Sequence, residues 1–142
     1  MNKLAFIGGT GVYDAGILSN IRSEIINTPF GQAVCQIGYF KGKEIVFLAR
    51  HGTGHNIPPH KINYRANIYA LKMLEVSSIV STTAVGSLNP EYKPGELVLI
   101  DQFLDMTKSR NGTFFDGEFR GVAHIDMTNP YCQTLRNVII QA

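Results

Sequence analysis

The sequence is poor in cysteine, in long apolar runs and in blocks of like charge, and each shortage removes a class of protein. Cys35 and Cys132 are the only two cysteines among 142 residues. They lie far apart and form no CxxC or Cys/His framework, so a reduced, cytosolic setting is the simplest reading. The stretch from Met1 to Phe6 is too short and too weakly charged for a signal peptide, and no segment approaches a membrane span. Thirteen basic and eleven acidic residues leave a net charge of +2. No basic run stands out, which speaks against a nucleic-acid partner. Repeats, linkers and low-complexity tracts are also lacking. What remains is an ordinary globular composition, 44% hydrophobic and 17% charged, read as a single domain over residues 1–142 with a real core.

Glycine, by contrast, is plentiful, with fourteen residues, mostly at the ends of apolar runs. Leu4 to Ile7 reads as a buried strand running into Gly8-Gly9-Thr10-Gly11. Ala33 to Phe40 and Glu44 to Ala49 read as two strands joined at a turn around Gly42. Gly52 to Pro59 is a loop. His60 to Leu74 has helical spacing, with Ile62, Ala66, Tyr69, Ala70, Met73 and Leu74 near one face and Pro58-Pro59 before it. Ser78 to Thr83 reads as a strand entering Ala84-Val85-Gly86-Ser87, and Glu96 to Ile100 as another. Ser109 to Gly121 is a polar loop. Asn129-Pro130 begins a helix that meets no stop signal before Ala142. Strands alternating with helices place the fold in the α/β class.

Three segments are candidates for anion chemistry. In Gly8-Gly9-Thr10-Gly11 the glycines let backbone N–H groups approach an anion, and the threonine adds a hydroxyl donor. Arg50-His51-Gly52 offers a planar guanidinium fork at a strand end. Ser81-Thr82-Thr83-Ala84 puts hydroxyls where a strand breaks into a turn. Each also has a plain structural reading: a tight turn, a surface arginine, or the β-propensity of threonine. All three end strands, and in an open α/β sheet such ends converge on one crevice. The glycine turn fails the dinucleotide pattern G-x-G-x-x-G, since Asp14 occupies the third glycine position, and no P-loop is present. His51, His55 and His60 lack the pattern of a zinc site, so no metal is expected. Asp101 and Asp105 stay unassigned, and His124 on its own reads as a packed residue.

The motifs Ile7-Gly8-Gly9-Thr10-Gly11, Thr28-Pro29-Phe30-Gly31, Leu48-Ala49-Arg50-His51-Gly52, Asn63-Tyr64-Arg65-Ala66-Asn67, Thr82-Thr83-Ala84-Val85-Gly86-Ser87, Asp101-Gln102-Phe103, Phe115-Asp116-Gly117 and His124-Ile125-Asp126-Met127 occur in order along the chain. With them the sequence resembles the methylthioadenosine phosphorylase branch of the trimeric purine nucleoside phosphorylases, and looks like the N-terminal half of such a protein. The resemblance implies a mixed, partly barrel-like central sheet flanked by helices, assembled as a homotrimer. It implies that inorganic phosphate, a co-substrate, is held by Thr10, Arg50, His51, Thr83 and Ala84. His124 is implied to reach the 5′-substituent pocket of the neighbouring subunit. The purine-contacting and purine-protonating residues are expected beyond Ala142, and no metal or organic cofactor is implied. The reaction implied is phosphorolysis of 5′-deoxy-5′-methylthioadenosine or its inosine analogue. Two alternatives stand beside it: a chain that keeps the phosphate half-site without catalysis, and a nucleotide-cofactor enzyme built on Gly8–Gly11.

Overall fold

The computed structural model describes residues 3–9, 11–12, 15–118 and 120–142. The chain divides into two compact units, Met1–Val85 and Gly86–Ala142.

The first unit is built on a five-stranded mixed sheet. Its strands are β1 (Lys3–Gly8), β2 (Ser19–Thr28), β3 (Gly31–Phe40), β4 (Lys43–Ala49) and β5 (Val76–Ser81), in the spatial order β2-β3-β4-β1-β5. The β2-β3 and β3-β4 pairs are antiparallel, whereas β1 runs parallel to both β4 and β5. The β3-β4 hairpin turns at Lys41 and Gly42, both at positive φ (47° and 76°), the backbone a two-residue hairpin of this hand requires. Ile45, Val46, Phe47 and Leu48 of β4 are all buried. Such a continuous apolar run belongs to a strand covered on both faces.

Helix α1 (Tyr64–Met73) covers one face of the sheet, packing on β3, β2 and β5. Its Ala66, Ala70 and Leu71 join Ala5, Ile7, Ala33, Cys35, Ile37, Val46 and Leu48 around one core. On the other face Ala15, Leu18, Ile45 and Phe47 form a smaller cluster. The helix begins four residues later than its apolar spacing indicates. Asn63 is the N-cap, its side chain accepting from the Ala66 N–H at 3.0 Å, and the prolines instead lead a short 3-10 turn at Pro59–Lys61. Met73, assigned to the apolar face by spacing, is half exposed.

β2 has no counterpart in the sequence reading. It is an edge strand with mostly exposed side chains. Its Arg22 pairs with Glu24 at 2.8 Å and with Glu44 at 3.5 Å, a charged edge of the kind that discourages further pairing.

The second unit carries one helix among its described residues, α2 (Gln133–Ile140). It starts after Cys132 and not at Asn129-Pro130. The first helical bond runs from the Arg136 N–H to the Cys132 carbonyl at 2.9 Å, and Asn129 caps nothing among the described residues. The strand expected over Glu96–Ile100 is not formed. Leu97 there is fully exposed, and no described segment offers a ladder partner, without which β-propensity does not make a strand. The Arg136 guanidinium instead donates to the Ile100 carbonyl at 3.0 Å. No helix among the described residues is long and apolar enough to cross a membrane.

Candidate functional site

Three adjacent parallel strands, β4, β1 and β5, end side by side, and their carboxyl ends create the site. The Arg50 N–H donates to the Gly8 carbonyl at 3.1 Å, and the Thr82 N–H donates to the Ile7 carbonyl at 3.0 Å. The three segments singled out in the sequence are therefore neighbours because the sheet register makes them so. Beside them lies an open cleft of about 590 Å³, lined by Arg50, His51, Thr83 and Ala84 together with His55, Asn56, Ile57, Pro58, Pro59 and Tyr64.

Arg50 is fixed in place. Its Nη1 donates to the Thr82 carbonyl at 2.6 Å and its Nη2 to Thr83 Oγ1 at 2.8 Å. Because Thr83 Oγ1 accepts this bond, its own proton remains to donate elsewhere. The guanidinium also lies against Gly9: a β-carbon at that position would sit 2.5 Å from Nη1 and closer still to Cζ and Nη2. The glycine turn thus makes room for the arginine head group.

His51 is buried. Its Nδ1 lies 2.9 Å from the Ile57 carbonyl, and the Ile57 N–H returns a 2.9 Å bond to the His51 carbonyl. The loop between them holds His55 at φ 51°, a left-handed conformation costly for a side-chain-bearing residue. The His55 ring packs 4.8 Å from that of His51. Among the described lining residues there is no carboxylate. A fixed guanidinium, a hydroxyl donor and two imidazoles with no competing negative charge suit an oxyanion.

Of the residues assigned to phosphate from the sequence, the structure brings Arg50, His51, Thr83 and Ala84 to one cleft. Thr10 lies outside the described residues. His124 belongs to the second unit and is exposed. No cluster of three or more His, Cys, Asp or Glu suited to a metal occurs among the described residues. Asn56, Ile57, Pro58, Pro59 and Tyr64 also line the cleft, without a role assigned from the sequence. Tyr64 was legible only as part of the Asn63-Tyr64-Arg65 motif, where Asn63 anchors the start of α1.

Comparison with known proteins decides the family, since the phosphorylase superfamily matches over residues 3–142. The chain belongs to the phosphorylase superfamily. Within that superfamily it is 54% identical over 139 residues to a probable 6-oxopurine nucleoside phosphorylase of Moorella thermoacetica, covering 98% of this chain and 54% of the relative. It is 55% identical over 139 residues to an S-methyl-5′-thioadenosine phosphorylase of Hyperthermus butylicus, covering 96% of this chain and 50% of the relative. Among solved structures, methylthioadenosine phosphorylase from Schistosoma mansoni in complex with adenine superposes with a TM-score of 0.93 at 38% identity, covering 99% of this chain and 50% of that one. This superfamily member therefore spans about half the length of the relatives it matches. The mixed α/β sheet anticipated from the sequence is the fold they share.

Proposed function

We infer that this chain is the phosphate-holding part of a purine nucleoside phosphorylase, and that its cleft binds inorganic phosphate. The observation that carries the reading is Arg50, braced between Thr82 and Thr83 at the joined strand ends. In phosphorolysis the glycosidic bond lengthens toward an oxocarbenium-like sugar and a phosphate oxygen attacks C1′. Arg50, the Thr83 hydroxyl and the backbone near Ala84 hold the anion in line with C1′. Positioning and electrostatics do the work, and no covalent enzyme intermediate is required. Thr10 is a further phosphate donor in this reading. Phosphate is the co-substrate, and the chemistry calls for neither metal nor organic cofactor.

The nucleoside we favour is 5′-deoxy-5′-methylthioadenosine or its inosine analogue, giving the free purine and 5-methylthioribose 1-phosphate. Support comes from relatives whose names divide between methylthioadenosine and 6-oxopurine phosphorylases. His124 is assigned to the 5′ pocket of a neighbouring subunit in a homotrimer, and the setting to the cytoplasm.

The test is calorimetric titration with inorganic phosphate beside an assay of phosphate-dependent purine release. Phosphate binding that falls at least about tenfold in Arg50→Ala supports the site, given roughly 1.5–3 kcal/mol for each charge-assisted bond. Unchanged binding in that variant sinks it. Because the chain matches only half of its relatives, a second outcome has its own meaning: binding without purine release marks a phosphate-binding chain that does not turn over.

A further inference from the structure

The hydrogen bonding of His51 fixes what its ring offers to a ligand. Nδ1 lies 2.9 Å from the Ile57 carbonyl oxygen. A carbonyl oxygen only accepts, so Nδ1 carries the proton, and in the neutral ring Nε2 presents a lone pair. His51 lines the cleft, and among the described residues its side chain is hydrogen-bonded through Nδ1 alone. The charged and titratable groups around it are Arg50 from the end of β4, His55 from the loop at 4.8 Å between ring centroids, and Tyr64 from α1. Arg50 donates only. Thr83, from the end of β5, already accepts from Arg50 and has its hydroxyl proton to give.

We propose that His51 Nε2 reads the proton of hydrogen phosphate and so selects phosphate over fully ionised oxyanions such as sulfate. The proposal rests on the phosphate reading above. Around neutral pH inorganic phosphate keeps at least one P–OH group, which donates to Nε2. Sulfate has no such proton. It sets lone pair against lone pair, unless the ring is first charged. Arg50 and Thr83 donate to both anions alike, so discrimination falls to His51 Nε2.

The experiment titrates the 142-residue chain with sodium phosphate and, separately, with sodium sulfate at about pH 8, above the usual imidazole range. Phosphate is expected to bind at least about tenfold more tightly than sulfate, the cost of one unmade hydrogen bond. In His51→Phe, which keeps a ring but no ring nitrogen, the phosphate-to-sulfate ratio is expected to approach one, because phosphate loses an acceptor that sulfate does not use. Nitrogen NMR of the unsubstituted chain gives a second readout that needs no variant: phosphate shifts the unprotonated Nε2 resonance, and sulfate leaves it in place. Equal affinities for the two anions, equal loss of both in His51→Phe, or an Nε2 resonance indifferent to phosphate overturns the selection while leaving the phosphate site intact. A folded chain that binds neither anion overturns the phosphate reading itself.

Discussion

The guanidinium of Arg50 occupies the space that a β-carbon on Gly9 would need. Gly9→Ala is therefore expected to push the arginine head group away from Thr82 and Thr83. Phosphate affinity should drop about tenfold or more, in line with the loss of one charge-assisted contact. Calorimetry measures that loss, and a thermal melt shows whether the sheet survives. A Gly9→Ala protein with undiminished phosphate affinity would contradict the arrangement.

Arg50→Lys separates charge from shape. A lysine keeps the positive charge but cannot hold the Thr82 carbonyl and Thr83 Oγ1 with one planar fork. Phosphate binding in Arg50→Lys should fall between that of the unsubstituted chain and that of Arg50→Ala. Equivalence of Lys and Arg at this position would mean that the fork contributes nothing.

Asn63 ties α1 to the β2-β3 hairpin. Its Oδ1 accepts from the Ala66 N–H at 3.0 Å and its Nδ2 donates to the Phe30 carbonyl at 2.6 Å. Asn63→Ala should destabilise the first unit by about 1–2 kcal/mol, as loss of a helix N-cap does. Asn63→Ser keeps a capping oxygen and drops the amide donor without facing the Phe30 carbonyl with a second acceptor, so it should cost less. Urea unfolding followed by circular dichroism ranks the two.

Cys35 is buried under α1, and burial, with Glu24 adding a smaller push, raises its thiol to about 11. The folded state therefore holds this proton more tightly than the unfolded chain, whose thiol titrates near its ordinary 9.0. The resulting stability is fully present below that value and is lost as pH rises toward 11. Unfolding curves should show this decline in the native chain and not in Cys35→Ala. Cys132 is exposed, so a thiol reagent should label it in the folded protein and reach Cys35 only on unfolding.

Gln36 of β3 has a buried Oε1 with no hydrogen-bond partner among the described residues. An orphaned acceptor costs stability. Gln36→Met, similar in size and without that acceptor, should be neutral or stabilising by up to about 1 kcal/mol. A clear drop in the urea midpoint would show that the amide is satisfied after all.

Much of the fold was legible because apolar runs bounded by glycine make simple signals. β1, β3 and β4 appear where Leu4–Ile7, Ala33–Phe40 and Glu44–Ala49 indicate. β5 is offset toward the N-terminus by two residues, since its ladder follows β1 and not the apolar pattern. β2 escaped because an edge strand exposes most of its side chains and needs no apolar face. Residues 96–100 went the other way: their composition suits a strand, but a strand is a relation between two segments, and one sequence window holds only one of them. At the site, Arg50 and Thr83 were readable as strand-end residues. The roles of Gly9 beneath Arg50 and of Ile57 behind His51 were not, because each depends on where another residue's side chain or backbone ends up.

The parallel trio β4-β1-β5 has a consequence for how the chain answers to its surroundings. Arg50 and Thr83 are 33 residues apart in sequence, so no local stretch of unfolded chain reproduces their pairing. An anion held between them recognises the assembled sheet alone. On the phosphate reading proposed above, mass action makes phosphate a folding ligand: at a free concentration of one hundred times Kd it would add about 2.7 kcal/mol to stability. A melting temperature that climbs with phosphate concentration would report, in one curve, both the occupancy of the cleft and the integrity of the sheet that builds it.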